Sequence, residues 1–244
     1  MTAPPLTEED IAFVRSLVIH EDAAIIALNK PSGLSSQGGR IKAHTLDDLL
    51  AAFAKASGNR PRLVHRLDRD TSGVILTART KPAAGFLGKA MMGRRFRKTY
   101  LAIVTPGPPE PAGGTIEHPL RREEIGRESY MRVARAEEPG AETALTRYRT
   151  LARGDGAALV ECSPQTGRMH QLRVHLASLG RPIAGDARYG GALTVGGVAI
   201  PRLMLHAARL SFPHPEGGTR TVEAPMPDDM RKVAAALRID IPAA

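Results

Sequence analysis

The sequence predicts a mixed α+β fold with mostly antiparallel strands. Two apolar runs, Val18-Ile19-His20 and Ala24-Ile25-Ile26-Ala27-Leu28-Asn29, flank a short acidic turn in the manner of paired strands. Segments with helical spacing and a capping residue are few and fall between such runs. No internal repeat, P-loop or Gly-x-Gly-x-x-Gly is present, so a nucleotide cofactor is not implied.

Thr7-Glu8-Glu9-Asp10 has the form of a capping box, and Ile11, Val14 and Leu17 follow at helical spacing, which predicts an opening helix over residues 8–17. Proline and glycine in Lys30-Pro31-Ser32-Gly33-Leu34 force a loop, with its lysine expected in solvent. Thr45 is placed to cap a helix from Leu46 to about Ala56, whose Leu46, Leu49, Leu50 and Phe53 share one face. This helix leads to Leu63–Gly73, and the apolar strand Val74–Thr77 follows. Pro82–Met92 reads as a helix. Arg94, Arg95, Arg97 and Lys98 are then interleaved with Phe96 and Tyr100 ahead of a β-rich stretch, a composition that grips a nucleic-acid backbone while offering rings for stacking.

Pro106–Gly114 is so rich in proline and glycine that it can only be an irregular connection. Arg121–Glu138 carries both signs of charge densely and suggests an exposed β-hairpin. Its charge is expected to be mostly solvated, with Arg121, Arg122, Arg127 and Arg132 the bases in reach of a polyanion. Strands are expected at Glu142–Leu151 and Ala157–Ser163. Thr166 is placed to cap a helix that Gly180 ends. At 100° per residue, Met169, Leu172, Leu176 and Leu179 form one stripe, and Arg173 falls about 40° from Met169, in or beside that stripe. An arginine turned toward a packed interior requires a carboxylate, and Asp68 is the expected partner. His170 and His175 are five apart without the glutamate of a zinc-protease helix, so no metal is expected. Arg209–Ala224 suggests a terminal hairpin and Asp228–Leu237 a closing helix.

At 244 residues and 42% hydrophobic content the chain can bury a proper core. A formal charge of +9 points to a polyanionic partner, nucleic acid in preference to a membrane surface. No run approaches the roughly 18 apolar residues of a membrane span, and Met1-Thr2-Ala3-Pro4-Pro5 lacks a signal-peptide pattern, which makes the cytoplasm the expected location. The single cysteine, Cys162, excludes an intrachain disulfide and reads as a small buried hydrophobe.

Leu63-Val64-His65-Arg66-Leu67-Asp68-Arg69-Asp70-Thr71-Ser72-Gly73 has the make-up of an active-site loop, since acids, bases and hydroxyls are packed between apolar residues and a glycine closes the turn. His65-Arg66-Leu67-Asp68-x-x-Thr71-Ser72-Gly73 resembles the signature of the RluA-type pseudouridine synthases. Asn29–Leu34, Lys98-x-Tyr100, Pro164–Gly180, Ile183–Gly191 and Leu203–Ala207 are similar to further blocks of that family, so the resemblance runs from about Val18 to Pro225.

The resemblance implies a curved mixed sheet in two halves with flanking helices and a central RNA-binding cleft. It implies that specific uridines of rRNA or tRNA are isomerised, with Asp68 catalytic, Arg173 paired with it and Tyr100 against the target base. Substrate contacts are expected from His65, Arg66, Thr71, Arg94, Arg95, Arg97, Lys98, Arg168, His170 and Leu205. Neither cofactor nor metal is expected, and the protein is expected to be a monomer. Residues 1–17 are expected to be a short helical extension to one catalytic domain, 18–244, without a separate N-terminal RNA-binding module. Two rivals stand beside this reading. A catalytically silent RNA-binding module would not need both Asp68 and Arg173, and a retaining glycosidase using Asp68 and Asp70 would need carboxyls about 5 Å apart on opposite sides of a sugar.

Overall fold

The computed structural model describes residues 5–38, 44–55, 58–126 and 128–242. In chain order the elements are α1 (Glu8–Ser16), β1 (Val18–Glu21), β2 (Ile25–Lys30), α2 (Leu46–Leu49), β3 (Arg62–Leu63), β4 (Ser72–Ala78), α3 (Lys81–Met92), β5 (Arg97–Val104), β6 (Gly113–Ile116), β7 (Leu120–Ile125), β8 (Glu128–Val133), β9 (Ala141–Glu142), β10 (Thr146–Gly154), β11 (Ala157–Pro164), α4 (Gln171–Ser178), β12 (Thr194–Val195), β13 (Val198–Ala199), β14 (Leu205–Pro213), β15 (Thr219–Glu223) and α5 (Asp228–Ala236). The fold is mixed α+β with mostly antiparallel strands, as the sequence predicts. Among the described residues no helix is long and apolar enough to cross a membrane.

By packing, the chain divides into two compact units, Met1–Arg97 with Ala207–Pro225, and Lys98–His206 with Met226–Ala244. In the first unit β1, β2, β4 and β14 lie in that order, with β3 on β4 and β15 on β14. Every residue of β4 is buried, and Val74 and Leu76 pack with Ile25, Leu87 and Phe212. Thr7 and Asp10 close the expected capping box of α1, and Thr80 caps α3 through the Ala83 amide at 3.2 Å. The acidic turn between β1 and β2 is clamped by one carboxylate. Asp22 Oδ2 lies 2.9 Å from His20 Nε2 and 3.1 Å from His214 Nε2, while Oδ1 accepts from the Ala24 and Ile25 amides. Burial alone would raise the Asp22 carboxyl, yet these bonds outweigh it and bring it down to about 2.

Two expectations for this unit need correction. The helix expected from Leu46 to about Ala56 is one α turn followed by a 3-10 turn over Leu50–Phe53, and Ala56 lies outside the described residues. Its apolar face is as expected, with Leu46, Leu49, Leu50 and Phe53 all buried. Phe96 offers no ring for stacking, because it is buried against Phe212 with ring centroids 5.6 Å apart.

The second unit is built on β5, β11, β10 and β6 in that order, a three-stranded sheet β8-β7-β9 and the ribbon β12-β13. Its core gathers Ile103, Leu159, Val160, Leu176, Met204, Met230 and Val233. Cys162 is fully buried there, and burial beside Glu161 pushes its thiol up to about 12. The expected hairpin over Arg121–Glu138 is present as β7 and β8, and the described arginines on its two strands are matched within it. Arg132 pairs with Glu123 at 2.6 Å and Glu138 at 2.7 Å, Arg122 with Glu124 at 2.7 Å, and Arg121 with Glu138 at 3.6 Å. Arg127 lies outside the described residues.

Helix α4 starts later than the sequence suggests. Thr166 does not cap it. The Thr166 hydroxyl accepts from the Leu145 amide at 2.9 Å and donates to Gln171 Oε1 at 2.8 Å, while His170 enters the helix with a left-handed φ of 51°. Gly180, with φ of 67°, ends it as expected. Burial is also wider than one apolar stripe, since Gln171, Arg173, Val174 and His175 are buried beside Leu172 and Leu176.

One glycine in the first unit has no substitute. Gly73 has φ of +115°, and a Cβ there would stand 2.2 Å from the Ala207 carbonyl oxygen. Gly73→Ala is therefore expected to destabilise the protein by about 2–4 kcal/mol through strain and overpacking, read as a lower midpoint in urea. An unchanged midpoint would show that the strand and Ala207 can part without cost.

Candidate active site

In the first unit the loop before β4 is fixed largely through its backbone. The Val64 amide donates to the Leu76 carbonyl at 2.9 Å and the Leu76 amide donates to His65 Nε2 at 3.1 Å, tying the loop to β4. Ser36, itself buried, donates to the Leu67 carbonyl at 2.7 Å and accepts from the Leu67 amide at 3.1 Å. On the other side of Asp68, the Arg69 carbonyl accepts from the Gly33 amide and from Lys30 Nζ, both at 2.9 Å, and the Asp70 carbonyl accepts from Ser32 at 2.7 Å. The Thr71 amide closes the turn on the Asp68 carbonyl at 3.2 Å. Asp68 thus sits on a backbone held on both sides, which restricts the direction of its carboxylate.

Lys30 corrects an expectation. It is fully buried rather than solvated, and its ammonium also donates to the Pro31 and Leu34 carbonyls at 2.9 and 2.8 Å. The available signal was position, since a lysine that ends the strand begun by the buried run Ile25–Leu28 and precedes Pro-Ser-Gly has a strand to anchor it and a loop to hold. Thr71 is buried, whereas Arg66, Arg94, Arg95 and Arg97 are exposed, and the Arg95 guanidinium lies 5.9 Å from the Phe86 ring centroid. Arg69 pairs with Asp70 at 2.9 Å, which raises the pKa of the guanidinium.

In the second unit Tyr100 lies on β5 opposite Cys162 and packs against the core, and burial lowers the pKa of Lys98 on the same strand. Leu205 is buried at the start of β14. Arg173, 8% exposed, is held by Asp186 in two parallel bonds, Nε to Oδ2 and Nη2 to Oδ1, each 2.7 Å. Its guanidinium also lies 4.9 Å from the Tyr189 ring centroid, a cation–π contact. Tyr189 in turn has its hydroxyl 2.7 Å from His170 Nδ1 and accepts from the Met131 amide at 3.0 Å, and burial pushes its phenol up.

The same loop reaches the β7–β8 hairpin a second time. Arg188 bonds the Ser129 carbonyl at 2.9 Å and Glu128 at 2.7 Å, and lies 4.5 Å from the Tyr130 ring centroid. Arg168 is engaged by Glu142 and by the Thr143 carbonyl at 3.2 Å. His175 is a buried structural histidine between Thr146 Oγ1 at 2.9 Å and the His118 carbonyl at 3.0 Å, and burial lowers its pKa.

The structure thus groups His65, Arg66, Asp68 and Thr71 on one loop of the first unit, and Arg168, His170 and Arg173 around the start of α4 in the second. From the sequence, Asp186 and Tyr189 stand out only as members of the Ile183–Gly191 block. The signal that could have placed them was the tight Gly185-Asp186-Ala187-Arg188-Tyr189 run. Gly185 has φ of +79° and its missing Cβ would meet the Arg202 carbonyl oxygen at 1.8 Å.

Removing one member of a buried ion pair strands the other. Asp186→Asn is expected to cost about 3–5 kcal/mol of stability, and adding Arg173→Met to it should recover part of the loss. Strictly additive losses in denaturant unfolding would contradict a coupled pair.

Comparison with known proteins bears on this chemistry. Residues 24–178 match the RNA pseudouridylate synthase family model. The ribosomal large subunit pseudouridine synthase C of Salmonella typhi is 37% identical over 236 residues, spanning 94% of this chain and 72% of that one. The mitochondrial pseudouridylate synthase RPUSD4 of Xenopus tropicalis is 35% identical over 94% of this chain and 82% of its own. Among solved structures, the human RNA pseudouridylate synthase domain containing 4 is 28% identical and superposes with a TM-score of 0.82, covering 96% of this chain and 99% of that one. This chain belongs to the RNA pseudouridylate synthase family.

Proposed function

We propose that this protein isomerises specific uridines of structured ribosomal or transfer RNA, and that Asp68 opens the reaction. The observation that carries the reading is the Asp68 loop, whose backbone is held on both sides of the carboxylate by Ser36 and by the buried Lys30. Such a frame suits a reaction that asks for one well-directed carboxylate.

The chemistry is economical. The bond between C1′ and N1 breaks, the uracil turns, and C5 joins the same sugar carbon while its proton leaves and N1 gains one. Neither net redox change nor hydrolysis occurs. Asp68 begins it as an anion, by attack on C1′ or by removal of the 2′ proton. Arg173 is assigned to favour that anion by charge attraction and hydrogen bonding. Asp186 uses two of the five N–H donors of the Arg173 guanidinium. A uridine within a stem must first leave the stack. Tyr100 is assigned as its platform and as the late base at C5, with Arg66 filling the vacated space. Arg94, Arg95, Arg97 and Lys98 are assigned to phosphates.

Asp68→Asn is expected to abolish pseudouridine formation while RNA affinity stays within a few fold, because the amide keeps the shape and loses the charge. The assay is reactivity to a pseudouridine-selective reagent at constant RNA mass, on large-subunit rRNA and tRNA from cells lacking the protein. Full activity in that variant would sink the mechanism, and wild-type protein that binds these RNAs without modifying them would be a silent binding module.

Tyr100 separates two roles. Tyr100→Phe should bind RNA normally and stall before the last proton is lost, whereas Tyr100→Leu should lose capture as well, since a stacked base contributes about 1–3 kcal/mol. Turnover of the Phe variant at the parental rate would leave the residue a stacking role only.

A further inference from the structure

We propose that an open polar groove in the first unit is an accessory phosphate site, which takes the RNA backbone flanking the target stem. The proposal rests on the RNA-modifying reading above. The groove has a volume of about 740 Å³ and lies where β3 pairs with the last residues of β4, Arg62 opposite Ala78 and Leu63 opposite Thr77. Lys55, Arg60, Arg62, Arg79 and Lys81 line it against a single acid, Asp47.

Two of these cations are already matched. Arg60 pairs with Asp47 at 3.1 Å, and Arg79 pairs with Glu21 and donates to the Asp22 carbonyl at 3.0 Å. Among the described residues no carboxylate stands within ion-pair distance of Lys55, Arg62 or Lys81. The β7–β8 hairpin shows the contrast, because its described arginines are each met by a glutamate. Exposed charges of one sign gathered along a groove repel one another and raise the local concentration of an anion.

The lining decides the class of anion. Among the described residues it contains no aromatic side chain to serve as a stacking platform for a base. Long exposed cations along an open groove suit successive phosphodiesters better than one compact anion, and phosphate contacts orient a nucleic acid without reading its sequence. Position agrees. Lys81 is the first residue of α3, a twelve-residue helix about 18 Å long whose other end leads to the exposed Arg94 and Arg95. The groove lies at the Ala78 end of β4 and the Asp68 loop at the Ser72 end, with about 20 Å of strand between. Phosphates on the order of six nucleotide steps from the reacting uridine lie at that reach.

The test compares the full chain with a Lys55→Gln/Arg62→Gln/Lys81→Gln variant on two transcripts of one large-subunit rRNA hairpin. One transcript is trimmed to about four base pairs beside the loop, and the other keeps about ten more. At about 0.1 M salt the variant should bind the extended RNA at least about ten-fold more weakly, and its salt dependence should be shallower by about two to three in log–log slope. Affinity for the trimmed RNA should stay within two-fold, and a Lys55→Arg/Arg62→Lys/Lys81→Arg variant should keep the parental affinity for both. Unchanged affinity and slope on the extended RNA would overturn the proposal, as would equal losses on both RNAs, which would assign the cations to the target stem itself. Binding is read without turnover, so wild-type protein that binds both RNAs yet forms no pseudouridine defeats the activity reading alone.

Discussion

One buried ammonium holds the frame on which the first unit depends. Taking an ammonium out of water costs several kcal/mol, a cost offset only when each of its donors finds an acceptor. Lys30 donates to the Pro31, Leu34 and Arg69 carbonyls at 2.9, 2.8 and 2.9 Å, so one side chain joins the end of β2, the turn after it and the segment beside Asp68. An arginine is too long and planar to present three donors to the same point. A neutral residue would leave three carbonyls facing a buried void. The loop that carries Asp68 owes much of its shape to its own carbonyls, which Lys30, Ser32, Ser36 and the Gly33 amide hold in place.

The second unit solves a related problem with a carboxylate. Arg173 is held edge-on by Asp186, and the loop that supplies Asp186 also grips the β7–β8 hairpin through Tyr189 and Arg188. Hairpin, loop and helix α4 therefore form one polar network around a buried guanidinium. The net charge of +9 is unevenly spent across the molecule. The described hairpin arginines are paired with neighbouring glutamates, whereas the connection after α3 and the first residue of β5 present Arg94, Arg95 and Arg97 to solvent. A count of charges finds a polyanion-binding protein, but only the pairing shows which face is available.

Local chemistry was legible in the sequence, and long-range partners were not. Thr7 with Asp10, the apolar face Leu46-Leu49-Leu50-Phe53 and the terminating Gly180 are decided within a few residues, and each is found where spacing puts it. Thr166 is no cap because its hydroxyl accepts from the Leu145 amide, twenty-one residues away, and donates to Gln171. Basic neighbours make Phe96 read as a stacking ring, but Phe212, far along the chain, buries it. Lys30 was expected in water for the same reason, since the carbonyl of Arg69 that helps bury it lies thirty-nine positions on. The candidate site followed this pattern. Loop membership of His65, Arg66, Asp68 and Thr71 could be read directly, while the Asp186 bond to Arg173 required the fold.

The path of the chain through the two units has a consequence for biosynthesis. The first unit draws β15 and most of β14 from Ala207–Pro225, after the whole of residues 98–206 has been placed in the second. During synthesis β4 and its fully buried side chains must wait for that return, with an unpaired edge and an exposed apolar surface in the meantime. Gly73 meets its neighbour Ala207 only then. The Asp68 loop leaves the ribosome early, but the sheet that supports it is among the last parts to be completed, so a chain interrupted before Pro225 carries the His65–Gly73 motif without the sheet that holds it.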